Sequence, residues 1–227
     1  MTGDETPGGA AAPARAVRIP SGSVNLGGDL NLPPGARSVV LFAHGSGSSR
    51  HSPRNQYVAQ VIRAAGIGTL LFDLLTRDEE AVDLHTGRLR FDIGLLARRL
   101  VDATDWIART AKGLRVGYFG ASTGGGAALV AAAELGSQIG AVVSRGGRPD
   151  LAGEALSRVR SPTLLIVGGR DLPVIQMNEE AYARLRCVKE LKIVPGATHL
   201  FEEPGALEEV ARLATEWFQR AFPERDS

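Results

Sequence analysis

The chain is 227 residues long and 44% hydrophobic, which suits one domain of ordinary or slightly large size with a real core. A formal net charge of +1 argues against a broad basic face for nucleic acid or a polybasic stretch for an anionic membrane. The lone Cys187 excludes an intramolecular disulfide and leaves too few thiolates for a structural zinc site.

Residues 1–15 are rich in Gly, Ala and Pro and lack a basic segment followed by a long apolar one. They read as a disordered leader before a single domain over 16–227, and the protein as cytoplasmic. Two β-like runs, 16–20 and 23–32, broken by Ser21-Gly22 and Pro33-Pro34-Gly35, read as an edge hairpin. Residues 38–43 form the continuous apolar run of a strand covered on both faces, and a helical pattern follows over 53–65. Residues 69–72 repeat the strand signature.

From 73 to 90 the apolar period is lost and charges are dense, which reads as an irregular excursion. Residues 91–112 place Phe91, Leu95, Leu96, Leu100, Ala103 and Ile107 on one helical face. Strands are expected at 114–119, 140–144, 163–167 and 190–194, with helices after Ser122, near Asp150, from about Ile175 and over 205–222. This alternation implies an α/β fold: a mostly parallel sheet with helices on both faces, an N-terminal antiparallel hairpin and little or no lid. Reactive groups in such sheets gather at the carboxyl ends of the strands.

Gly120-Ala121-Ser122-Thr123-Gly124 falls between a strand and an Ala-rich helix, where a G-x-S-x-G turn exposes a serine nucleophile. A serine hydroxyl needs a base, and the base needs an acid to fix its tautomer. Of the four histidines, His44 ends a strand and His51 and His85 lie in polar loops. His199 follows the last strand and comes after the nucleophile in the order serine, acid, histidine. Asp171, in Gly168-Gly169-Arg170-Asp171, reaches the same sheet edge, although an aspartate before Pro173 also suits a helix N-cap. Asp150, Glu202 and Glu203 are its rivals as the acid.

The oxyanion of a tetrahedral intermediate calls for two backbone N–H donors. Thr123, after the nucleophile, and Ser46, in the small-residue loop 44–49, are the candidates. Neither glycine cluster completes a dinucleotide fingerprint or a P-loop, so no cofactor and no metal are expected.

These residues resemble the α/β-hydrolase superfamily over about 16–222. Within it, Gly120 to Gly125, Asp171 and His199-Leu200-Phe201 are most similar to the dienelactone-hydrolase-like family. The resemblance implies a Ser122, Asp171, His199 triad. Dienelactone hydrolases proper carry a cysteine where Ser122 stands and a glutamate where Ser46 stands. They also bind the substrate carboxylate with two arginines, of which Arg77 is one potential counterpart, while Glu202-Glu203 occupy the place of the other. The run His44 to Asn55 is similar to bacterial proteins of this group, some fused to a phosphoribosyltransferase. Arg50 and Arg54 in that run are candidates for an anionic substrate group, although solubility is the more ordinary role of surface arginines.

The expected function is hydrolysis of small-molecule carboxylic esters with small acyl groups, through an acyl-enzyme. A dienelactone-type lactonase, a thioesterase and an acyltransferase use the same triad, and a non-catalytic binding protein could use the same scaffold. Neither nucleic acid nor membrane is an expected partner, and a homodimer stays open.

Overall fold

The computed structural model describes residues 14–222, so all but the end of the expected leader lies outside the described residues. Arg15 already belongs to the first strand, β1 (Arg15–Ser21). The strands that follow are β2 (Val24–Asn31), β3 (Ser38–Ala43), β4 (Gly68–Phe72), β5 (Arg115–Ala121), β6 (Ile139–Arg145), β7 (Thr163–Gly168) and β8 (Lys189–Val194). They form one eight-stranded sheet in the order β1-β2-β4-β3-β5-β6-β7-β8. The first hairpin is antiparallel and adds antiparallel to β4, while every later pairing is parallel.

Parallel strands need crossovers, and five α-helices supply most of them: α1 (Pro53–Ala64), α2 (Arg77–Thr86), α3 (Ile93–Thr110), α4 (Thr123–Leu135) and α5 (Leu172–Arg184), while α6 (Ala206–Ala221) follows the last strand. Two apolar layers result. On one face Leu41, Tyr118 and Val142 meet Leu100 of α3 and Leu129 of α4. On the other, Phe42, Phe119 and Val143 meet Val58 of α1 and Phe218 of α6. Side chains alternate across a strand, so a central strand such as β3, apolar after Ser38 and buried at every position, is covered on both faces. No helix among the described residues is long and apolar enough to cross a membrane.

Three elements depart from the sequence pattern. The excursion over 73–90 contains α2, fixed at its start by a reciprocal capping box between Thr76 and Glu79 and ended by Gly87 in the left-handed region. Its one buried residue is Asp83, so no apolar stripe betrays it. Phe91 falls in a short 3-10 turn before α3 and is 57% exposed; the helix begins at Ile93 because Asp92 accepts a hydrogen bond from the Leu95 N–H at 2.8 Å. The helix expected near Asp150 is a 3-10 segment (Pro149–Arg158) broken at Gly153.

Candidate active site

β5 and α4 meet at Ser122, whose φ of 51° and ψ of −122° lie outside the regions that non-glycine residues favour. The turn is held from both sides. Gly125 and Arg148 donate their N–H groups to the Ser122 carbonyl at 2.9 and 3.0 Å, and Ser122 N–H donates to the Arg145 carbonyl of β6 at 3.3 Å. The flanking glycines permit close contact: a Cβ on Gly120 would stand 2.5 Å from the Gly124 carbonyl oxygen, and one on Gly124 2.1 Å from that of Ala43. Serine is a favoured N-cap, yet the Ser122 side chain makes no capping bond to α4, so its hydroxyl is not spent on the helix.

Asp171 and His199 come together at the neighbouring strand ends, with His199 Nδ1 2.7 Å from Asp171 Oδ2. Asp171 does occupy the N-cap position of α5, as its alternative reading had it, but makes no side-chain cap there. The loops after β7 and β8 are laced together by Gly169 N–H to the Val194 carbonyl at 2.8 Å and Arg170 N–H to the Ala197 carbonyl at 2.9 Å. His199 reaches back toward the nucleophile turn through Gly146: a Cβ there would stand 3.5 Å from His199 Cε1, and Gly146 follows Arg145, the partner of Ala121 across β5 and β6. The rival acids are engaged elsewhere. Asp150 pairs with Arg148 at 2.7 Å, Glu202 with Arg54 at 3.1 Å, and Glu203 accepts the Thr198 N–H at 3.1 Å. Hydrogen bonds at Thr198 hold the Glu203 carboxyl below its ordinary range.

His44 is structural in its bonding. Its Nε2 accepts the Leu74 N–H at 3.0 Å, which obliges Nδ1 to carry the proton that goes to the Gly45 carbonyl, also at 3.0 Å. Burial lowers its pKa against the upward pulls of the Gly45 bond and Asp73, so it is a neutral imidazole that ties the 44–49 loop to the segment just after β4. His85 is exposed and bonds the Ala81 carbonyl. Ser46, the expected second oxyanion donor, sends its N–H to Thr123 Oγ1 at 3.0 Å, so the two expected donor residues are in direct contact. Thr123 opens α4, where first-turn N–H groups have no intrahelical acceptor.

A cavity of about 570 Å³ adjoins this turn and is lined by the 44–49 loop, Thr123, Arg54, Leu74, Leu75 and, on the far wall, residues of α2 including Glu80 and Asp83. Ser122 and His199 are not among its lining residues; it meets the nucleophile turn through Thr123. Burial and the nearby Asp73 raise the Glu80 carboxyl pKa. The three arginines singled out by sequence take different places. Arg50 pairs with Asp73 and with Asp29 at 3.2 Å, Arg54 reaches the cavity, and Arg77 is exposed on the first turn of α2. The residue that the strand pattern missed is Arg145. It is 5% exposed, donates to Asn55 Oδ1 at 3.2 Å and stacks over Phe201 at 5.7 Å, with burial and the nearby Arg54 lowering its pKa to about 10. Among the described residues there is no cluster of three or more His, Cys, Asp or Glu side chains that could hold a metal ion.

A mixed sheet with this strand order, a strained serine at the β5–α4 turn and a histidine–aspartate pair at the adjacent loops define an α/β hydrolase. Residues 33–222 match the dienelactone hydrolase family, and the chain belongs to that family. A dienelactone hydrolase structure from Anabaena variabilis is 64% identical, with a TM-score of 0.90 over 91% of this chain and 97% of its own. The esterase Est1E from Butyrivibrio proteoclasticus shares the fold at 16% identity, with a TM-score of 0.76 over 91% of this chain and 98% of its own. The esterase Pf2001 from Pyrococcus furiosus does so at 19% identity and a TM-score of 0.73, over 92% of each chain. A Mycobacterium tuberculosis protein named "Putative phosphoribosyl transferase" is 57% identical over 204 residues, 89% of this chain but 45% of its own length. The chain therefore spans about half of that relative.

Proposed function

We propose that this hydrolase cleaves carboxylic esters of small acyl groups through an acyl-enzyme on Ser122. The observation that carries the reading is the 2.7 Å link between His199 Nδ1 and Asp171 at the sheet edge where Ser122 stands. A carboxylate can only accept, so Nδ1 holds the proton and Nε2 is left as the basic nitrogen. His199 takes the Ser122 proton as Oγ attacks the ester carbonyl, and returns it to the departing alcohol. The Thr123 N–H is one donor to the oxyanion, and the Ser46–Thr123 contact provides the other side of the hole. Water then repeats the cycle on the acyl-enzyme.

The acyl group enters the cavity beside Thr123, whose Leu74 and Leu75 wall suits an apolar chain. By the family resemblance Glu202-Glu203 take the place of an arginine that would bind a dienelactone carboxylate, and that exchange favours ordinary esters over dicarboxylate-like lactones. Ser122→Ala, assayed with p-nitrophenyl acetate beside the wild type, tests the reading. Loss of nearly all turnover with an unchanged melting curve is the expected result, and undiminished turnover refutes it.

A further inference from the structure

Thr123 has a side chain with a bond of its own. Its Oγ1 accepts the Ser46 N–H at 3.0 Å, bridging the two segments from which oxyanion donors are drawn. The residue is 3% exposed and still lines the 570 Å³ cavity. A hydroxyl can accept and donate at once. Among the described residues Thr123 Oγ1 takes part only as an acceptor, which leaves its own proton uncommitted. The Ser46 N–H is engaged by that hydroxyl.

We propose that the Thr123 hydroxyl is itself a donor in the oxyanion hole, with the Ser46 N–H acting through it. This rests on the serine-hydrolase reading above. As negative charge develops on the carbonyl oxygen, the hydroxyl donates a hydrogen bond to it while still accepting from Ser46. The proton stays on Oγ1 throughout, and no bond is made or broken at Thr123. A donor that is simultaneously accepting is polarised and donates more strongly, and the buried setting adds to the effect. Charge exists on that oxygen only in the tetrahedral state, so the contribution belongs to turnover rather than to substrate binding.

The test compares wild type, Ser122→Ala, Thr123→Val and Thr123→Ser, by the second-order rate of labelling with an alkyl fluorophosphonate and by kcat and KM for p-nitrophenyl acetate. Valine keeps the shape and removes the hydroxyl. The labelling rate and kcat of T123V should fall on the order of 100-fold with little change in KM, whereas T123S should stay within about 10-fold of wild type. If T123V fails to fold, as judged by its melting curve, Thr123→Ala takes its place with the same expected loss. Rates in the variant lacking the hydroxyl that stay within about 10-fold of wild type overturn the proposal. Faster rates do so too, since they mean that the hydroxyl merely occupies the Ser46 donor, and so does a T123S as slow as T123V. The underlying reading fails separately, when wild type does not label or Ser122→Ala labels as fast as wild type.

Discussion

His199 Nδ1 and Asp171 Oδ2 stand 2.7 Å apart although 28 residues separate them in the chain. The parallel register of β7 and β8 makes this possible, because Gly168 lies opposite Val194 and both loops leave the sheet at one level. Gly168 lacks the Cβ that would otherwise stand 2.5 Å from the Ala197 carbonyl oxygen. The sheet edge therefore supplies the geometry, and the carboxylate supplies the tautomer.

Asp171→Asn keeps the shape of the acid and removes its obligation to accept. Its amide can present N–H to Nδ1 and drive the ring proton to Nε2, where His199 no longer takes the serine proton. On the serine-hydrolase reading, kcat for p-nitrophenyl acetate falls by about 10³–10⁴-fold with little change in the melting curve. A loss smaller than about tenfold would leave Asp171 without the assigned role.

Gly124→Ala tests the packing of the nucleophile turn. Its Cβ would meet the Ala43 carbonyl oxygen at 2.1 Å and the His44 carbonyl oxygen at 2.6 Å, and neither backbone group can swing aside. The cost is expected at about 3 kcal/mol or more, read as a lower urea midpoint or as loss of soluble protein. A variant as stable as wild type would mean that β3 and α4 can separate freely.

His44 gives stability a dependence on pH. Burial lowers its folded pKa below the ordinary imidazole value of 6.5, so between the two values the unfolded chain binds the proton more readily. Its contribution is complete above the unfolded value and is lost as pH falls from there through the folded one. The melting temperature should therefore drop between pH 7.5 and 5.5, and drop less in His44→Gln, where nothing titrates. Equal slopes for the two proteins would show that other groups set the dependence.

Much of this was legible in the residues, and the exceptions share a cause. β3 to β7 could be read because apolar runs and glycine-rich turns dictate buried parallel strands, and β8 because a short apolar run ends in the Pro195-Gly196 turn at the half-exposed sheet edge. Ser122, Asp171 and His199 could be placed because each follows one of those strands. α2 escaped because caps hold it rather than an apolar face. Phe91 misled because it continues a helical period while Asp92, the cap, ends the helix's reach at Ile93. Arg145 carries no strand signal because it is charged, yet Asn55 and Phe201 receive it in the interior. Pattern reports which surfaces are apolar; it is silent where polar groups satisfy one another across the fold.

That silence can be tested at α2, the cavity's far wall. Thr76 Oγ1 accepts the Glu79 N–H at 3.2 Å, Glu79 Oε2 accepts the Thr76 N–H at 2.8 Å, and the other Glu79 oxygen holds the buried Arg99 at 2.7 Å. At the far end Asp83 accepts from Leu89 N–H at 2.6 Å and from Arg90. Thr76→Ala removes one capping bond and should cost the helix about 1 kcal/mol. Because Asp83 is the helix's one buried residue, the loss should appear as local opening rather than global unfolding. Amide hydrogen exchange over residues 77–86 should accelerate by about fivefold, the equivalent of that energy, while the sheet amides keep their rates. Uniform acceleration across the protein would instead show α2 to be part of the global folding unit.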